Sequence, residues 1–196
     1  MIAGWLRARP RLVGALVLGV LSACGHNSPT APEIPTVPVP TGPRLLRITT
    51  AGQCAADGRP IFLLIYSPVT VARSGSGWIA SATSPASGTV EVRFQQSRPV
   101  ITGQSMPVSG TIRGVALHVP DLAPGPPMPN AGVDFGGDGQ TALSGFAFAP
   151  STLTPVAEVS GVGGGAITVT DSEGRTCQGS TFSWAVGPPG SGALER

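Results

Sequence analysis

Lysine is absent from the 196-residue chain, only 11% of residues are charged and only 5% are aromatic. Nucleic-acid binding draws on clustered Lys and Arg to neutralise phosphates, so a chain this short of cations gives it no support. Gly and Pro, at 28 and 21 residues, make up a quarter of the sequence and interrupt every stretch that could form a long helix beyond the N-terminus. That share borders on the composition of disordered chains, but a hydrophobic fraction of 41% supplies enough apolar surface for a core. The one long apolar run, Leu12 to Leu21, has ten residues, against the roughly 20 that a membrane-spanning helix needs. No CxxC pair exists, which removes the closely spaced ligands of a thiolate zinc site. These absences leave one small β domain joined to Pro-rich segments.

The apolar run follows Arg7, Arg9 and Arg11, and together they read as a secretory signal. It ends in Leu21-Ser22-Ala23-Cys24. Here the chain resembles the bacterial lipoproteins, whose lipobox is a Leu, two small residues and a Cys. The resemblance covers the first 24 residues and implies cleavage before the Cys, making 1–23 the signal peptide and Cys24 a lipid anchor. Acyl chains on the Cys24 thiol and the new amino group would each add about 0.8 kcal/mol per buried CH₂. Gly25 rather than Asp after the anchor implies, by the sorting pattern of the same family, the outer membrane of a two-membraned cell. Losing the three arginines leaves 9 Arg against 10 acids, a net charge of −1.

Residues 24–43 carry Pro29, Pro32, Pro35 and Pro38 at a spacing of three, then Pro40 and Pro43. That spacing suits a polyproline II tether with a reach of about 60 Å. The β domain is expected over 44–187, followed by a flexible tail at 188–196 that opens on a Pro-Pro-Gly breaker. Within the domain the period is two. Val90, Val92 and Phe94 alternate with Glu91 and Arg93, and Phe182, Trp184 and Val186 alternate with Ser183 and Ala185. Further strands are expected at 44–50, 60–66, 68–73, 77–82, 100–105, 110–119, 140–149 and 156–162. Many short strands at even spacing predict an all-β fold, either a single antiparallel β-sandwich or a small up-and-down β-barrel.

With Cys24 acylated, Cys54 and Cys177 remain, and an even count in an exported chain predicts a disulfide. Other chemistry is sparse. Gly161-Val162-Gly163-Gly164-Gly165-Ala166 fits the dinucleotide fingerprint but runs into Ile167-Thr168-Val169, a strand pattern, so it reads as a glycine-rich hairpin connection. The histidines are His26, in the tether, and His118, expected on the exposed face of its strand. Asp134 and Asp138 lie among glycines and form a two-carboxylate candidate for Ca²⁺, fewer oxygens than that ion takes. Ile61 to Tyr66 is apolar on both faces and is either covered on both or part of an apolar patch. Pro120 to Gly139, with five prolines, reads as a long surface loop and a candidate binding element.

The expectation is an exported lipoprotein without a cofactor, whose domain is a non-catalytic binding or envelope-interaction module. Its partner would be an envelope protein, a glycan or a small apolar ligand. A purely structural envelope component is the alternative, and a hydrolase built on His118 the remote one. A roofed cavity lined by Phe94, Phe146, Phe148 and Trp184 would favour binding; a filled core would favour structure.

Overall fold

The fold is seen in a computed structural model that describes residues 36–37, 41–54, 58–96, 100–101, 104–122, 127–139, 141–148 and 158–189. Its strands are β1 (Thr36–Val37), β2 (Gly42–Gln53), β3 (Pro60–Ser74), β4 (Gly77–Ala82), β5 (Glu91–Gln96), β6 (Val100–Ile101), β7 (Ser105–Arg113), β8 (Val115–Leu117), β9 (Gly132–Asp134), β10 (Thr141–Phe148), β11 (Glu158–Thr170) and β12 (Thr176–Gly187). Eight of them form the wall in the order β2-β3-β4-β5-β7-β10-β11-β12, and β12 pairs back onto β2. Every pairing is antiparallel. The protein is therefore a closed eight-stranded up-and-down barrel, which leaves no free sheet edge around that ring.

Alternation along the strands sorts the side chains. Leu46 and Ile48 on β2, Val92 and Phe94 on β5, and Phe182, Trp184 and Val186 on β12 are buried in one core. Outward positions carry small polar groups, among them Thr49, Thr70, Ser109, Ser144 and Ser183. An eight-stranded barrel has an interior just wide enough for side chains to fill. Here Phe94, Phe135, Phe182 and Trp184 all turn inward, each at most 4% exposed. Phe135 and Phe182 meet edge to face at 4.9 Å. Gly163 sits beside the Phe182 ring in the space that a side chain would occupy. The glycine-rich segment expected to be a hairpin connection instead lies inside β11, where the ladder to β12 shifts register between Gly164 and Ile167.

Wall strands differ in length: β2, β3, β11 and β12 have 12 to 15 residues, β4 and β5 only six. Where the short strands stop, the segment after β7 takes their place. Gly114, at φ +79°, breaks the expected 110–119 strand, and β8 then pairs with β9, which pairs with the far end of β11. Below the eight-stranded ring the wall thus continues as a narrower one, β3-β2-β12-β11-β9-β8. Ala116, Ala131, Val133 and Phe135 from this insert are at most 1% exposed. The surface loop expected at 120–139 is corrected in part: Ala131, Gly132, Val133 and Phe135 are core, filling the interior that the short strands leave open, while Asp134 and Gly136 to Asp138 stay at the surface. At the opposite end, β1 pairs with β6, so Thr36–Val37 of the expected tether is engaged by the barrel's own chain, and β2 starts at Gly42. Cys24 and the rest of the tether, apart from Thr41 to Pro43, lie outside the described residues, as do the signal segment and the tail from Gly190.

Candidate functional site

The four aromatics whose shared cavity would favour a ligand-binding interior do not line one together. Phe94 and Trp184 belong to the filled interior, whereas Phe146 points outward and is 56% exposed. The side chain of Phe148 lies outside the described residues. Of the two outcomes, a cavity or a filled core, the described residues show the filled one.

His118 is also displaced from expectation. Alternation does put it opposite Val115, Leu117 and Val119, but its face is the inner one, and the residue is only 5% exposed. Its ring stands edge to face with Tyr66, centroids 6.3 Å apart. Neither ring nitrogen has a hydrogen bond of good geometry. Burial lowers its pKa below 6.5, outweighing the nearby Leu64 carbonyl, which favours the protonated ring. Among the described residues no hydroxyl or carboxylate is bonded to it, so the nucleophile-base-acid chain of a hydrolase is not assembled there.

The Asp134 carboxylate accepts the Gly136 amide at 2.8 Å, an Asx turn that shapes the bend before Asp138. Two carboxylates fall well short of the six to eight oxygens that Ca²⁺ takes, and no cluster of three or more His, Cys, Asp or Glu occurs among the described residues. Asp171 begins the β11–β12 turn and is tied down more fully. Burial disfavours its charge, but the Arg175 and Glu173 amides and the Arg175 guanidinium outweigh that and lower its pKa.

What the strands do assemble lies on the outer wall. Cys54 and Cys177 are joined, closing a loop with a sequence separation of 123. Their neighbours Gln53 and Gln178 are directly paired across β2 and β12 and both face outward. Beyond Gln178 the β12–β2 ladder shifts register until Phe182 meets Thr50, so Ser180 and Thr181 are both exposed in succession. The Thr50 hydroxyl donates to the Thr181 carbonyl at 3.0 Å and secures the irregularity from inside. The result is a cleft of about 430 Å³ lined by Ala51, Gln53, Pro60, Gln178, Ser180 and Thr181, with Gly52 and Gly179 in its floor. A methyl group on Gly179 would point inward, 2.8 Å from the Ala51 carbonyl and 3.0 Å from Ile167 Cγ1, so glycine there serves the packing behind the cleft. Phe62, 77% exposed, stands two residues beyond Pro60 on the same face, paired with Ala51.

A second groove, of about 490 Å³, crosses β4, β5 and β7 and presents Arg93, Gln95, Ser109 and Thr111. Arg93 is committed there: its Nε donates to Glu91 at 2.7 Å, and Arg113 shares the same carboxylate. Ile61 to Tyr66, read as covered or as a patch, divides between the two. Ile61, Leu63 and Ile65 are core, Tyr66 is covered with His118, and Phe62 and Leu64 face solvent. Sequence patterning had no means of finding the cleft, since period-two strands look alike wherever the ladder slips. The one available signal was that each glutamine adjoins a cysteine of the expected bridge. Compared with known proteins, the chain matches no family model, no curated relative and no solved structure.

Proposed function

We propose that the protein is an exported lipoprotein of the bacterial envelope, anchored through Cys24, whose barrel is a non-catalytic binding or envelope-interaction module. The observation that supports this best is the polarity of the wall. A membrane-spanning barrel carries an outward apolar band about 25 Å tall and a polar lumen. This barrel has the reverse arrangement, with a packed apolar interior and an outer wall rich in Ser and Thr on which Phe62, Leu64, Phe146 and Val162 stand as scattered apolar exceptions. Attachment to a bilayer therefore falls to the lipobox cysteine, and partners fall to the outer wall, since the interior is filled. Gly25 beside the anchor favours the outer membrane.

A filled core also favours the second reading, a structural envelope component with no ligand. Membrane fractionation tests the anchored reading. The native chain should partition into detergent, and Cys24→Ala should stay unprocessed or move to the aqueous phase. A mature Cys24→Ala protein that remains in the detergent phase would overturn it.

A further inference from the structure

We propose that the cleft between β2 and β12, above the Cys54–Cys177 bridge, binds an uncharged oligosaccharide, with Phe62 as its stacking platform. The proposal rests on the binding-module reading and adds the ligand class. Four observations carry it.

None of the side chains lining the cleft is charged, while Gln53, Gln178, Ser180 and Thr181 offer amide and hydroxyl groups that both donate and accept. A sugar ring presents the same mixture, hydroxyls that donate and accept without charge. Among these lining side chains a phosphate, a carboxylate or an ammonium group would meet no counter-ion. Phe62 adds an exposed aromatic face at the rim, where the apolar C–H face of a pyranose can lie flat.

The site is also held in shape. Gln53 and Gln178 are Cα partners, and each adjoins one half of the disulfide, so the bridge fixes the separation of the two backbones that carry the amides, while Gln178 Nε2 donates to Thr168 Oγ1 at 3.4 Å. A fixed backbone leaves only side-chain freedom to be lost on binding. The register shift in β12 turns Ser180 and Thr181 outward together, an arrangement that a regular strand cannot give.

The test uses the full chain and three soluble probes: α-1,4-linked glucose, β-1,4-linked glucose and β-1,4-linked N-acetylglucosamine, each as a hexamer. Side-chain amide resonances of Gln53 and Gln178 are followed during titration. Expected is saturable binding of at least one probe, with these two amides shifting most. Phe62→Ala should weaken it about tenfold, a loss of about 1.4 kcal/mol, and Gln178→Ala by a similar factor. Phe146→Ala, on another part of the wall, should leave it unchanged. Mild reduction of the disulfide should weaken binding while the outer-wall signals of β5 and β7 persist. Absence of saturable shifts with all three probes would overturn the proposal, as would binding indifferent to Phe62→Ala. Concentration-dependent dimers that bury Phe62 would overturn it too, by giving this face to a second copy. Failure here leaves the binding-module reading standing if a partner cross-links elsewhere on the wall.

Discussion

The amide of Val119 donates to the Tyr66 carbonyl at 2.9 Å, and among the described residues this main-chain bond is what joins the insert to β3. On its other side the insert is held by full ladders, β8 to β9 and β9 to β11. The narrow ring at this end is therefore knitted on one flank and pinned on the other. His118 precedes the pin and Tyr66 supplies it, so the one buried histidine among the described residues sits at the seam.

Removing the insert's core contacts should be expensive. Phe135 is 1% exposed and packs on Phe182 in the barrel axis. Phe135→Ala should cost about 3–5 kcal/mol in urea unfolding, the range for a buried Phe truncated to leave a cavity. A loss below about 1 kcal/mol would mean that the segment is the surface loop its prolines suggest.

Stability should fall as pH drops through 6.5, and His118 should be the cause. Its folded pKa is lowered, so between that value and 6.5 the unfolded chain binds more protons than the folded one. Stability then rises with pH across this window and is lost on acidification. Asp171 works in a different range: its pKa is lowered from 3.8, so its contribution is present above 3.8 and fades only below it. Unfolding curves at pH of about 7.5 and about 5 should separate for the native chain and draw together for His118→Phe. Equal separation in both would assign the effect to another group.

Replacing Cys54 and Cys177 together by Ser should destabilise the barrel by about 5 kcal/mol, the chain-entropy value for a loop with a separation of 123. Circular dichroism should still report strands, because the β2–β12 ladder continues from Thr50 to Leu45 without the bridge. A stability change near zero would show that the unfolded chain gains little freedom from reduction.

Much of the wall could be read from alternation alone. Gly77–Ala82 forms as expected, and Thr141–Phe148 forms within the expected 140–149, whose two end residues lie outside the described residues. Both are strands with one face in the core and one in water, the case in which period two is clearest. Closure into a barrel rather than a sandwich was not readable, since both architectures place the same alternating face inward. The insert escaped for a different reason. β8 and β9 are three residues each, too short for any period to register, and their burial depends on where β4 and β5 stop. His118 was misplaced for the same cause: its side of the strand was right, but which side faced the core is a tertiary fact. The glycines of β11 read as a turn because Gly usually marks one, whereas Gly163 is there to admit the Phe182 ring.

The most direct test is the intact mass of the native protein extracted from membranes under non-reducing conditions. Predicted is a chain beginning at Cys24, heavier than its sequence by a diacylglyceryl group and one further acyl chain, and lighter by the two hydrogens of the Cys54–Cys177 bridge. A chain that still begins at Met1, or a mature chain with an unmodified Cys24, would contradict the lipid anchor on which the proposed function stands.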